Sequence, residues 1–136
     1  MEEVEDAKQA YLDELAVGSL INSIKQAPAM MAEARLKESE AESRLKEAKK
    51  LADELKAQIL FLNGDKIAAG KNTEARKDTA NVILAKDATY KEAMKTITMA
   101  ESALVKARLE LSTVHDRFSA QRNEARLVTG ILNYLA

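Results

Sequence analysis

The stretch 93-AMKTITMAESALVKARLELSTVHDRFSAQRNEARLVTGILNYL-135 decides the fold. Stepping alternately four and three residues from Ala93 visits Ile97, Ala100, Leu104, Ala107, Leu111, Val114, Phe118, Gln121, Ala125, Val128, Leu132 and Leu135, and Gln121 is the one polar position on that line. A period of 3.5 residues held over this length is the signature of a long helix with one seam against a partner helix. With Ile97, Leu104, Leu111 and Phe118 at the a positions and alanines opening the d column, large and small residues alternate, which favours close approach of a neighbour.

The same arithmetic over residues 31–62 gives Met31, Ala34, Glu38, Ala41, Leu45, Ala48, Ala52, Leu55, Ile59 and Leu62, with Glu38 alone polar. Two alanine-rich seams separated by a loop predict an all-α, elongated antiparallel helical hairpin, a coiled coil in which bulky residues of one arm sit over alanines of the other. At about 1.5 Å per residue the longer arm would extend on the order of 70 Å and the shorter about 50 Å. The seam residues expected to carry this contact are Leu45, Leu55, Ile59, Ile97, Leu104, Leu111 and Phe118.

One helical domain over residues 1–136 is expected to divide as follows: an N-terminal helix within 1–27, the first arm over 28–62, a tip loop at 63–72, a short helix at 73–86 and the second arm over 88–136. The N-terminal helix carries Val4, Ala7, Tyr11, Leu15, Leu20, Ile21 and Ile24 less regularly, with Gly18-Ser19 weakening its middle. Pro28 either kinks one continuous helix or occupies the first turn of the next one, where a missing N–H costs nothing, and the second is the reading adopted. Asn63-Gly64 and Gly70 signal turns, Asn72 or Thr73 would cap the short helix, and Asp87 reads as a cap or break. Val105 and Leu109 lie off the main seam, so a third helix or a second copy is expected against them, completing a bundle by oligomerisation.

Composition agrees with long helices. Among 136 residues there are 24 alanines but only five Phe and Tyr and no Trp, so little volume is available for a globular core. No cysteine is present, which excludes disulfides and thiolate metal sites. No apolar run approaches the roughly 18 residues of a membrane-spanning helix, and the start, MEEVEDAK, is acidic where a signal peptide is basic. The expected location is cytoplasmic. The net charge of −1 argues against a dedicated nucleic-acid binder, but acids outnumber bases six to two in residues 1–27. Such polarity can set the direction in which two copies associate, although a solvated helix face is the usual explanation.

The loop 60-LFLNGDKIAAGKNTEAR-76 has the look of a phosphate cradle and fails the test for one. A P-loop needs Gly, four residues, then Gly-Lys-Ser/Thr, so that backbone amides wrap a phosphate and a hydroxyl reaches magnesium. Here five residues separate Gly64 from Gly70, Asn72 stands in place of the hydroxyl, and the preceding run ends a heptad helix instead of a strand. A loop joining two helices accounts for both glycines.

No other constellation supplies chemistry. His115 is the sole histidine and has no second His or Cys at ligand spacing. The acids Glu38, Glu40, Glu42, Glu47, Asp53 and Glu54 interleave with Lys37, Arg44, Lys46, Lys49 and Lys50 at spacings of three and four, the pattern of a laced helix surface. Glu-x-x-His pairs, which a di-metal bundle would use, do not occur. Neither a catalytic residue nor a cofactor or metal site is expected. Two basic clusters are candidate nucleic-acid contacts: Lys66, Lys71, Arg76 and Lys77 at the tip, diluted by Asp65, Glu74 and Asp78 and with no aromatic interleaved for stacking, and Arg108, Arg122 and Arg126 on the last helix. Arg108, His115 and Arg122 repeat every seven residues, a flank that more often selects a partner helix.

The segment GKNTEARK, followed by AKDATYKEA and the long Ala/Leu heptad helix, resembles small coiled-coil proteins of phage and prophage genomes over residues 60–136. Some such genes neighbour recombination and single-strand-handling genes, which implies an accessory role. The resulting expectation is a noncatalytic interaction or structural protein that forms a homo-oligomer through its helices and binds a protein partner. The alternative is a nucleic-acid accessory protein in phage recombination or replication, with a nucleotide-dependent enzyme a distant third.

Overall fold

In the computed structural model, residues 2–14 and 17–135 are described, and they form five helices: α1 (Glu2–Glu14), α2 (Val17–Leu62), α3 (Gly64–Ala68), α4 (Thr73–Lys86) and α5 (Ala88–Leu135). No strand occurs among the described residues, so the fold is all-α. Contacts cluster into two compact units, one of Met1–Glu38 with Ala107–Ala136 and one of Ser39–Lys106, and α2 and α5 contribute residues to each.

Both seams are where the heptads place them. Every seam position of α5 from Ala93 to Leu135 is buried or half-buried, with Ile97, Leu104, Ala107 and Val128 the most enclosed. On α2 the same holds from Met31 to Ile59. In the first unit the helices run antiparallel: Lys37 Nζ lies 3.1 Å from Glu110 Oε1, and Glu38 Oε1 lies 4.0 Å from Arg108 Nε, so α2 numbering rises as α5 numbering falls. Glu38, the polar member of the α2 seam, is half-buried and so finds a cation beside it. In the second unit Ile97 packs on Ala48 and Ala52, with Leu45 and Ala93 alongside. This is the expected arrangement of a bulky side chain over alanines, and it lets the two backbones approach without leaving a void.

Pro28 does not start a helix. A single helix, α2, runs through it from Val17 to Leu62, so the expected boundary between residues 27 and 28 is corrected. The reason lies in the seam itself. Continuing the alternate steps backward from Met31 reaches Ala27, Ile24, Leu20 and Val17, all of them buried or half-buried, while Pro28 falls on the exposed side. A mid-helix proline forfeits the bond to the carbonyl of Ile24 and costs about 3 kcal/mol. Covering Ile24, Leu20 and Val17, each half-buried and each gaining part of the roughly 1.5–3 kcal/mol of full burial, offsets it. Gly18 and Ser19 consequently lie in the first turn of α2, not in the middle of an N-terminal helix. Leu15, counted among the apolar positions of that helix, lies outside the described residues.

The seam also ends one step early. Leu62 is 80% exposed, because α2 stops there: Asn63 donates both its backbone N–H and its Nδ2–H to the Ile59 carbonyl, at 3.2 and 2.8 Å. The expected tip loop then contains the single-turn α3, packed on α4. The short helix begins where the cap signal put it, with Asn72 Oδ1 accepting from the Ala75 N–H at 2.8 Å. Asp87 serves two helices. Its extended backbone ends α4, its N–H bonding the Leu84 carbonyl, and its Oδ1 accepts from the Tyr90 N–H at 2.7 Å to cap α5.

Candidate interaction surfaces

The tip loop is held by its own residues. Arg76 Nε donates to the Gly70 carbonyl at 3.1 Å, folding the arginine stem back over the glycine. A Cβ on Gly70 would stand 2.9 Å from Arg76 Cγ and 3.0 Å from the Arg76 backbone nitrogen, closer than packed atoms allow. Gly70, Asn72 and Arg76 thus form one device: the glycine admits the arginine, the arginine ties down the loop, and the asparagine starts α4. The glycine and arginine of GKNTEAR have a packing role here, and Arg76, counted among the basic tip residues, is engaged with its own backbone.

The other basic tip residues, Lys66, Lys71 and Lys77, are exposed and, among the described residues, hold no ion pair. The same unit has a feature that the sequence reading missed. Phe61, 85% exposed, adjoins the exposed Leu62 at the end of α2. No aromatic is interleaved among the tip cations themselves; Phe61 precedes them on α2, and the signal for its exposure was the heptad register, which puts it off the seam.

The second unit carries an apolar groove along α2 and α5. Ala48 and Ala100 form its floor, Leu51 (56% exposed) and Met99 (66% exposed) its walls, and Arg44, Glu47 and Thr96 its rim, enclosing about 450 Å³. Val105 and Leu109, the two hydrophobes expected to be covered by a third helix, are both exposed. In the first unit the last turns of α5 expose Leu127 and Tyr134 around Gly130.

The first unit also gathers cations. A cavity of about 320 Å³ is lined by Met31 and Arg35 of α2 and by Arg108, Leu111, Ser112 and His115 of α5. Arg35 is exposed and, among the described residues, in no ion pair, whereas Arg108 is near Glu38. His115 Nδ1 lies 3.7 Å from Asp116 Oδ1, an attraction that requires a protonated ring. One heptad further on, the Arg122 guanidinium stacks 5.3 Å from the centroid of the half-buried Phe118 ring, and Arg126 is exposed. On the opposite side of the seam Lys37 is held above its usual 10.5, first by its hydrogen bond to Glu110 and then by the charges of Glu110 and Glu33.

Of the seam residues named from sequence, Ile59, Ile97 and Leu104 are buried and Leu45, Leu55, Leu111 and Phe118 half-buried. The basic candidates divide between the units: Lys66, Lys71, Arg76 and Lys77 in the second, Arg108, Arg122 and Arg126 in the first. Among the described residues no cluster of His, Cys, Asp or Glu could hold a metal ion, and no helix is long and apolar enough to cross a membrane. No protein-family model, curated protein or solved structure matches the chain.

Proposed function

We propose that the protein is a noncatalytic helical interaction protein that self-associates and takes a protein partner. The observation that supports this reading best is the groove of the second unit, where Leu51 and Met99 stand exposed above Ala48 and Ala100. A groove between two helices, floored by alanines and walled by longer apolar side chains, is the shape that receives a third amphipathic helix. Light scattering over a concentration range tests it. The expected result is a mass that rises with concentration and falls toward one chain in a Leu51→Lys, Met99→Lys variant with unchanged helix content. A monomer at every concentration overturns the self-association.

A second reading, a nucleic-acid accessory role, draws on one observation: the second unit exposes both Phe61, a ring on which a base can stack, and Lys66, Lys71 and Lys77, cations that can meet phosphates. It expects single-stranded DNA binding that weakens steeply with salt and is lost on changing the three lysines to glutamate. Binding indifferent to those changes removes the tip from that role.

A further inference from the structure

We propose that the charged pairs Lys37–Glu110 and Glu38–Arg108 fix the register of α2 against α5, excluding the two antiparallel pairings displaced from it by one heptad. The inference is independent of the self-association proposed above.

The competition arises in the seams themselves. Sliding one helix by seven residues, about 10.5 Å, returns apolar positions to apolar positions along both arms. The large-over-small pattern returns with them, because alanines recur at 34, 41 and 48 on α2 and at 93, 100 and 107 on α5. Apolar cover alone therefore leaves the neighbouring registers as competitors.

Glu38 breaks the tie. It is the one polar residue on the α2 seam, and its side chain is only 25% exposed. A carboxylate there is costly, and a leucine would cover more apolar surface. A lone polar seam residue lowers stability and selects one register in return. The neighbours show how. Glu38 Oε1 lies 4.0 Å from Arg108 Nε, and Lys37 Nζ lies 3.1 Å from Glu110 Oε1. Because α5 is one helix from Ala88 to Leu135, the residues that a shift would bring to those places can be read off. Seven residues toward the start of α5, Glu38 meets Glu101 and Lys37 meets Ala103, a like-charge contact and a lost pair. Seven residues the other way, Lys37 meets Arg117 while Glu38 meets His115. Only the observed register gives both residues an opposite charge. Glu33, 3.8 Å from Lys37, sits on the same helix, and no shift alters that contact.

Two single substitutions in the full chain should move the register in opposite directions. Glu38→Lys puts like charges together at Arg108 and gains Glu101 in the first displaced register. Lys37→Glu does the same at Glu110 and gains Arg117 in the second. The chain has no cysteine, so Ala32→Cys and Asn133→Cys, at exposed sites of the first unit, can carry two spin labels. Dilution with unlabelled chain confines the measured distance to one molecule. Ala32 is five residues before Lys37 and level with His115, so Asn133 lies about 27 Å further along the axis. Glu38→Lys is expected to raise, on the order of tenfold, a population about 10 Å longer, and Lys37→Glu one about 10 Å shorter. Adding Arg108→Glu to the first and Glu110→Lys to the second should restore the wild-type distance. Wild-type distances in both single variants at unchanged helix content overturn the lock. So do shifts in the same direction, shifts that the reciprocal charge fails to reverse, and a shift produced by Glu33→Gln. Should helix content fall, Lys37→Gln with Glu38→Leu introduces no repulsion: distances about 10 Å apart are then expected to coexist, and a single wild-type distance overturns the proposal.

Discussion

Replacing Ile97 by alanine removes three methyl-sized groups from above Ala48 and Ala52, the tightest point of the second unit. Ile97 retains 9% of its surface, and its neighbours Leu45, Ala48, Ala52 and Ala93 are mostly small, so the hole can partly close. A loss of about 2–3 kcal/mol is expected, in the lower part of the range for buried isoleucine. Ala52→Leu fails in the opposite way. At 3% exposure Ala52 has no room for three more carbons, and about 1–3 kcal/mol is lost to overpacking. If the bulky residue of one helix truly sits over the alanine of the other, the double variant exchanges large for small across the seam and keeps the volume. It is expected to lie within about 1.5 kcal/mol of wild type, which makes the coupling between the sites about 2–4 kcal/mol. Urea unfolding followed at 222 nm, at one protein concentration for all four chains, measures the cycle, and an unchanged slope certifies that compactness is the same. Additivity within about 0.5 kcal/mol would refute the reasoning, since independent sites add to that precision.

Gly70→Ala drives a Cβ into Arg76 and is expected to cost about 1–3 kcal/mol, read as faster amide exchange in the first turns of α4, with Asn72→Ala losing about 1 kcal/mol at the same helix start. ATP should produce no thermal shift in wild type or in either variant; a shift abolished by Lys71→Ala would revive a nucleotide site. Because Lys37 titrates higher when folded than its ordinary 10.5, the stability from its pairing with Glu110 is fully present below that pH and is lost as pH rises through the folded value. Melting temperatures of wild type should therefore fall slightly relative to Lys37→Met across that alkaline window, and high salt should shrink the difference, since both side chains are half exposed. Pro28→Ala restores the N–H that can bond the Ile24 carbonyl and should stabilise by about 1–2.5 kcal/mol, the helix gain reduced by the freedom that alanine returns to the unfolded chain; an unchanged or lower stability would deny that α2 is continuous there.

What the sequence made legible is what a period can carry. A 3.5-residue repeat specifies which face is covered, and the α5 seam from Ala93 to Leu135 needed no other information. Pro28 misled because local and cooperative terms were weighed in the wrong order. Its penalty is a fixed sum at one residue, whereas the seam running back through Ala27, Ile24, Leu20 and Val17 accumulates burial over two further heptads, and that extension stood in the sequence unread. Leu62 misled in reverse. Apolar periodicity says that a residue could be covered, but α2 stops at Leu62, where the Asn63 Nδ2–H also takes the Ile59 carbonyl, and Leu62 and Phe61 are exposed.

The surfaces were less legible because exposure is a property of two elements at once. Arg35 belongs to α2 and carries no mark in its own heptad that tells it apart from other flanking cations. Only antiparallel packing in the registry fixed by Lys37 with Glu110 brings it to the cavity that Arg108 and His115 line. Gly70 and Arg76 show the same limit at short range. Six residues apart in a basic, glycine-bearing loop, they read as a turn and a candidate phosphate contact, but the 3.1 Å bond between them ties the arginine to its own backbone. Sequence spacing proposes which groups can meet; whether a charge is left over for a partner depends on what the fold has already used, which is why Arg35 and the three tip lysines, and not Arg76, are the cations on which a test of binding should be spent.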